Sequence, residues 1–121
     1  MRKLLMATTA IALTAGIAAA EDIKIGVILG FTGPIESLTP PMAQGAELAM
    51  AEVTDSGALL GGSTVTSVRG DSTCIDSGAA TAVAERQITS DGVKGIMGAD
   101  CSGVTGAILS NVALANGMVM I

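Results

Sequence analysis

Four short apolar runs separated by three stretches of helical period constrain this chain more than any other feature. Ile23-Lys24-Ile25-Gly26-Val27-Ile28-Leu29-Gly30 begins as an alternating run and turns continuously apolar, the pattern of a strand buried on both faces of a sheet. Phe31 to Pro41 carries Gly33-Pro34 and Pro40-Pro41 and reads as a loop. Thr39 is placed to cap the helix that follows, with Pro40 at the first helical position, where a missing N–H costs nothing. Met42, Ala46, Ala49, Met50 and Val53 then share one helical face, and Gly57 stops the helix. Gly45 lies inside it at a cost of about 1 kcal/mol against Ala, which close approach of helix to sheet would compensate.

The alternation repeats. Gly61-Gly62 makes a turn into Ser63 to Arg69, an alternating β-branched run that reads as a more exposed strand. Asp76 caps a second helix with Ala79, Ala80, Val83, Ala84 and Ile88 on one face, and Asp91-Gly92 ends it. Gly95 to Gly98 is a short third strand. Ser102 can cap a third helix with Val104, Ala107, Ile108, Val112 and Ala115 inward, closed by Asn116-Gly117. Met118 to Ile121 starts a fourth strand. The order β-α-β-α-β-α-β predicts an α/β fold: an open parallel sheet with right-handed crossovers and helices on both faces. The text stops four residues into a buried strand, so 21–121 reads as a truncated part of something larger.

The beginning of the chain reads as a targeting signal. In residues 1–20 Arg2 and Lys3 form a positive start, Leu4 to Ile17 an uncharged and mostly apolar stretch, and Ala18-Ala19-Ala20 a small-residue cleavage site. A span of about 17 residues rich in Ala and Thr is at the short limit for crossing a bilayer. We therefore expect a signal peptide over 1–20, cleavage after Ala20 and an exported mature chain.

Charge and composition remove several function classes. The whole chain has 6 Lys and Arg against 11 Asp and Glu, a formal charge of -5. Removing Arg2 and Lys3 shifts this to -7, which disfavours nucleic acid and anionic lipid as partners. There is no His, so histidine metal sites and Ser/His or Cys/His dyads are excluded within these residues. Gly26, Gly30 and Gly33 lack the dinucleotide spacing, and there is no phosphate-binding loop motif. Gly70-Asp71-Ser72-Thr73-Cys74 lacks the second glycine of a nucleophile elbow. Asp71, Asp76 and Asp100 match no calcium loop. No catalytic set, metal site or cofactor is expected.

Export also bears on Cys74 and Cys101, the chain's 2 cysteines. Their spacing fits neither a zinc knuckle nor a C-x-x-C pair, which leaves a structural disulfide, favoured outside the cytoplasm, or two free thiols. Both cysteines fall at carboxyl ends of strands, where ligands sit in open parallel sheets. Three loops lie there: Phe31 to Thr39, Gly70 to Ile75, and Ala99 to Gly103. In the last, Ser102 and the backbone N–H groups of a helix start can attract an anion. From this stretch alone Ser102 reads first as an ordinary cap.

Taken in order, Ile23-Lys24-Ile25-Gly26-Val27, Thr32-Gly33-Pro34, Gly45-Ala46-Glu47-Leu48-Ala49, Gly70-Asp71-Ser72-Thr73-Cys74 and Gly98-Ala99-Asp100-Cys101-Ser102, behind a signal peptide, resemble the periplasmic substrate-binding proteins of branched-chain amino acid ABC transporters. The resemblance covers essentially all of 21–121. It implies a two-lobed type I periplasmic binding protein, of which this chain supplies the first part of the amino-terminal lobe. It also implies a Cys74–Cys101 disulfide and a role for Ser102 in holding the ligand's α-carboxylate. Thr32 and Asp100, in the matching loop motifs, and Leu38 complete the candidate ligand-binding set. Counting from Gly33-Pro34, Leu38 stands where well-known members place an aromatic residue over the ligand side chain. Another amino acid, an amide or a small carboxylate therefore fits as well as leucine.

The function implied is non-enzymatic. An exported carrier would close its two lobes on a small ligand and deliver it to the membrane permease of an ABC importer. A sensor domain of a receptor or regulator is the alternative with the same fold, and an exported Rossmann-like enzyme finds no supporting residues here.

Overall fold

The structure is a computed structural model and describes residues 19–121. The signal-peptide reading of 1–20 lies outside the described residues except for Ala19 and Ala20.

Three strands form a parallel sheet: β1 (Asp22–Leu29), β2 (Thr64–Asp71) and β3 (Gly95–Gly98), in the order β2-β1-β3. The first strand in sequence is thus central in space. Ile23 faces Val65 and Ile28 faces Gly70 on one side, while Ile25 faces Gly95 and Ile28 faces Gly98 on the other. The last four residues of β1 are buried, which accounts for the continuously apolar half of its sequence. β2 lies at the edge, and its exposure alternates. Met118 to Ile121 runs beside β3, with a parallel bridge between Ile96 and Met120. There Ile96 N donates to Val119 O (2.9 Å), Ile121 N to Ile96 O (3.0 Å) and Gly98 N to Ile121 O (2.8 Å). Where the sequence expects a fourth strand, the chain makes this single bridge to β3.

Side chains alternate across β1, so consecutive residues feed different layers. Val27 and Leu29 pack with Ala43 and Met50 of α1 (Thr39–Asp55) on one face. Ile28 packs on the other face with Ala80 and Ala84 of α2 (Ser77–Arg86) and Val104 and Ile108 of α3 (Ser102–Ile108). Both faces therefore carry helices, as the sequence pattern predicts.

Four local expectations are corrected. Thr39 does not cap α1: Leu38 occupies the N-cap position, without a side-chain cap bond. Counted from Leu38, the two positions whose N–H groups a cap would serve are Pro40 and Pro41, which have none. The Thr39 hydroxyl turns back instead and donates to Gly30 O (3.1 Å) and Glu36 O (3.4 Å). Ser102 likewise is the first residue of α3 and does not cap it; Cys101 holds that place. The inward face of α3 changes beyond Ile108, because the helix passes into a π-helical turn at Leu109–Ala113. The wider turn holds Val112 inward but brings Ala113 into the core in place of Ala115, which is exposed.

Gly45 is the fourth correction. It is exposed, and a Cβ built on it meets nothing within 4 Å, so no close helix-to-sheet approach compensates it. Much of the apolar face of α1 is in fact open: Met42, Ala49 and Val53 are exposed. An apolar hollow of about 370 Å³ lies between this helix and the sheet, lined by Met50, Val53, Met97 and Ile121 among others.

Close approach occurs elsewhere. The chain continues from α2 into a π-helical turn, Gln87–Asp91, closed by Gly92 in the left-handed conformation. The buried Gln87 amide lies over Gly26 and Gly70, where any Cβ would collide with it, and donates from Nε2 to Val68 O (2.7 Å). Gly98 has φ +124°, and a Cβ there would run into the Ile28 carbonyl.

These glycines differ in what they tolerate. Gly98→Ala is expected to cost about 3 kcal/mol or more, from backbone conformation and collision together. Gly45→Ala is expected to stabilise by about 1 kcal/mol through helix propensity. Urea denaturation of the two variants beside the parent measures both; a neutral Gly98→Ala would refute the assigned close contact.

Candidate functional site

At the carboxyl ends of the three strands, three loops meet. The first runs from Gly30 to Leu38, the second from Ser72 to Asp76, and the third through Ala99, Asp100 and Cys101. Every pair of these loops is tied by a specific bond.

Asp71, the last residue of β2, ties the first loop to the second. Its Oδ2 accepts the Thr32 hydroxyl (2.6 Å), and its Oδ1 accepts the backbone N–H of Thr32 (3.2 Å) and of Thr73 (2.8 Å). Asp100 ties the third loop to the first, its Oδ2 accepting Gly30 N–H (2.8 Å). Its Oδ1 receives the buried Ser72 hydroxyl of the second loop at 3.5 Å. The Cys74–Cys101 disulfide joins the second and third loops, with a Cα–Cα distance of 5.2 Å and a sequence separation of 27. The disulfide expected from the sequence is therefore present. In the chain-entropy account a loop of that size stabilises by about 3.5 kcal/mol.

The second loop needs this support. Thr73 and Cys74 have φ of +56° and +67°, a left-handed pair that costs non-glycine residues about 1–3 kcal/mol each. Gly33, at φ +94°, backs directly onto the Thr73 carbonyl and has no room for a side chain. At the start of α3 the Thr105 hydroxyl donates to Ala99 O (3.0 Å) and Cys101 O (2.9 Å), which fastens the third loop to its own helix.

Burial pushes the Asp71 carboxyl up, but the Thr32 hydroxyl and the N–H groups of Thr73, Thr32 and Phe31 outweigh it and hold the carboxyl below the ordinary range. Beside the first loop, Arg69 donates Nε and Nη2 to Glu47 (both 2.7 Å), and its guanidinium lies 5.5 Å from the Phe31 ring centre. The hydrogen bond from Arg69 holds Glu47 below its ordinary value. This pair flanks the loops on the α1 side.

The sequence-selected residues all lie at this end of the sheet. Ser102 is exposed at the head of α3, directly after the disulfide. Leu38 is 60% exposed where the first loop enters α1. Thr32 is exposed and bonded to Asp71; Asp100 is half-buried with both oxygens engaged. Asp71, Asp76 and Asp100 do not converge: their acceptors serve Thr32 and Thr73, Ala79 and Gly30 respectively. Among the described residues no three His, Cys, Asp or Glu side chains are placed to hold a metal. Sequence reasoning weighed Asp71 only as a metal ligand and overlooked it as a tie between loops. A carboxylate at the last position of a strand, one residue before a turn, was the available signal.

Residues 22–121 match the periplasmic binding protein family. The chain belongs to that family. Its members are substrate-binding proteins, not enzymes. The chain is 39% identical over 104 residues to Leu/Ile/Val-binding protein homolog 7 of Brucella abortus, a match that covers 85% of this chain and 25% of that protein. It thus spans about a quarter of that relative's length. Among solved structures, the branched-chain amino acid transporter substrate-binding protein LivJ of Streptococcus pneumoniae, in complex with isoleucine, superposes with a TM-score of 0.72 at 26% identity, covering 82% of this chain and 28% of LivJ. A solute-binding protein of Rhodopseudomonas palustris in complex with 4-hydroxybenzoate gives 0.67 at 25% identity, covering 82% and 26%. The parallel sheet with helices on both faces is that of a type I periplasmic binding protein.

The lowered Asp71 carboxyl gives this periplasmic binding protein chain a defined acid response. The tie contributes fully above the unfolded carboxylate value of about 3.9 and is lost as pH falls through the lower folded value. Stability is therefore expected to drop more steeply as pH falls below about 5 in the parent than in Asp71→Asn. Thermal melts across that range test this; parallel curves would remove the assignment.

Proposed function

We propose that residues 21–121 form the first part of the amino-terminal lobe of an extracytoplasmic solute-binding protein serving an ABC importer. Membership of the periplasmic binding protein family supports this, as does the likeness to a branched-chain amino acid transporter substrate-binding protein in complex with isoleucine. The observation that carries the reading is the set of three bonded loops with exposed Ser102 at the head of α3.

The chemistry is recognition without covalent change. A ligand carboxylate docks at Ser102, whose hydroxyl donates to it while the start of α3 adds favourable N–H dipoles. Thr32 and Leu38 border the ligand from the first loop, and Asp100 serves it by holding that loop and Ser72 in place. A second lobe closes on the ligand, excludes water from these contacts and completes the surface that a membrane permease reads. Export by the signal peptide, with cleavage after Ala20, delivers the protein to the periplasm. The ligand is an amino acid of the branched-chain type or a related small carboxylate or amide. Leu38, aliphatic and open, leaves the side-chain class broad, and a structural neighbour in complex with 4-hydroxybenzoate supports that breadth.

Ser102→Ala in the complete two-lobed protein is expected to weaken isoleucine binding by about 1–2 kcal/mol, the net worth of a hydrogen bond to a charged group. Calorimetry decides it, and unchanged affinity would remove Ser102 from the site. The 121-residue chain by itself is expected to show no measurable amino-acid affinity, because half of the cleft is contributed by the other lobe.

A further inference from the structure

The conformation of the ligand-facing loops is set by bonds internal to the lobe, and Asp71 is central to them. Its carboxylate receives three donors from two loops: the Thr32 hydroxyl, Thr32 N–H and Thr73 N–H. The loops it joins fit each other closely. Gly33, next to Thr32, lies against the Thr73 carbonyl, and Thr73 and Cys74 are both left-handed. The disulfide fixes Cys74 to the third loop, but Thr73 is held by its bond to Asp71. Without that carboxylate the Thr32 hydroxyl and two backbone N–H groups lose their acceptor, and the left-handed turn loses the bond that opposes its relaxation.

We infer that Asp71 is a positioning residue for the binding face: it clamps Thr32 and the first loop against the Thr73–Cys74 turn, so that the lobe presents a preformed surface before any ligand arrives. The role in binding rests on the reading of these loops as the ligand face; the clamp itself does not. A residue that touches ligand acts mainly on the dissociation rate, as most contact losses do. A residue that preforms the site acts on the fraction of molecules competent to bind, and hence on the apparent association rate.

Two measurements separate these roles. Amide hydrogen exchange of the 121-residue chain is expected to be about tenfold or more faster at Thr32 and Thr73 in Asp71→Ala. Gly30, whose N–H is held by Asp100, and the central residue Ile28 should keep their rates. Thr32→Val, which removes only the hydroxyl, gives the same pattern at smaller amplitude and stands in if Asp71→Ala fails to fold. Unchanged exchange at Thr32 and Thr73 overturns the clamp, as does a uniform rise that includes Ile28. In the complete two-lobed protein, stopped-flow binding of isoleucine to Asp71→Asn is expected to show association slowed about fivefold with dissociation within twofold of the parent. Faster dissociation with normal association would make Asp71 a ligand contact and overturn the positioning role. If the parent protein does not bind isoleucine while the exchange pattern holds, the ligand reading fails and the clamp stands.

Discussion

The rest of this fold depends on the burial of β1 between two helical layers. A parallel strand with neighbours on both edges satisfies its backbone in the sheet, and only apolar side chains can then fill both faces. Val27 and Leu29 enter one layer and Ile28 the other, so three consecutive residues set the register of both. Each fully buried aliphatic side chain here is worth about 1.5–3 kcal/mol relative to exposure. A slip of one residue would exchange the layers, placing Ile28 under α1 and its neighbours under α2 and α3. The loops inherit their positions from this register, because all three leave the sheet at the same end.

Those loops are costly to hold. Two left-handed non-glycine residues sit in one short turn, with a close-packed glycine of the neighbouring loop against it, and the bonds that stabilise them come from different chemistries. A disulfide limits separation in the unfolded chain, whereas carboxylates on backbone N–H groups specify direction in the folded one. Using both gives a surface that is tied down and also oriented. Pre-organisation of this kind reduces what a ligand must supply to order its own site.

Much of this was legible in the residues. The strand and helix order followed from hydrophobic periodicity, and the disulfide was favoured by export and implied by the family resemblance. Asp76 was read correctly as a cap: its Oδ1 accepts Ala79 N–H at 2.9 Å. The misreadings share a cause, which is that a residue's type shows what it can do and its neighbours decide what remains to be done. Thr39 had the right chemistry for a cap, but the helix takes Leu38 as its cap and the Thr39 hydroxyl turns back to Gly30 and Glu36. Ser102 had it too, but the helix began one residue earlier than its side chain required. Ala115 fitted a 3.6-residue period that the π-helical turn interrupts. Asp71 and Asp100 act across 39 and 70 positions of sequence, and no local pattern reports such a partnership. The cluster of loops at the strand ends was legible as a place, and its bonding only from the fold.

The buried carboxamide of Gln87 has a consequence for how such a sequence varies. Its donor bond to Val68, its Oε1, which has no partner among the described residues, and the two glycines beneath it fix the height of a helix above a sheet. A shorter side chain at 87 would open a void over Gly26 and Gly70, and a methyl group at either glycine would displace the amide. Positions 26, 70 and 87 therefore form one packing unit: a change in side-chain size at any of them needs a matching change at another, or a movement of the helix.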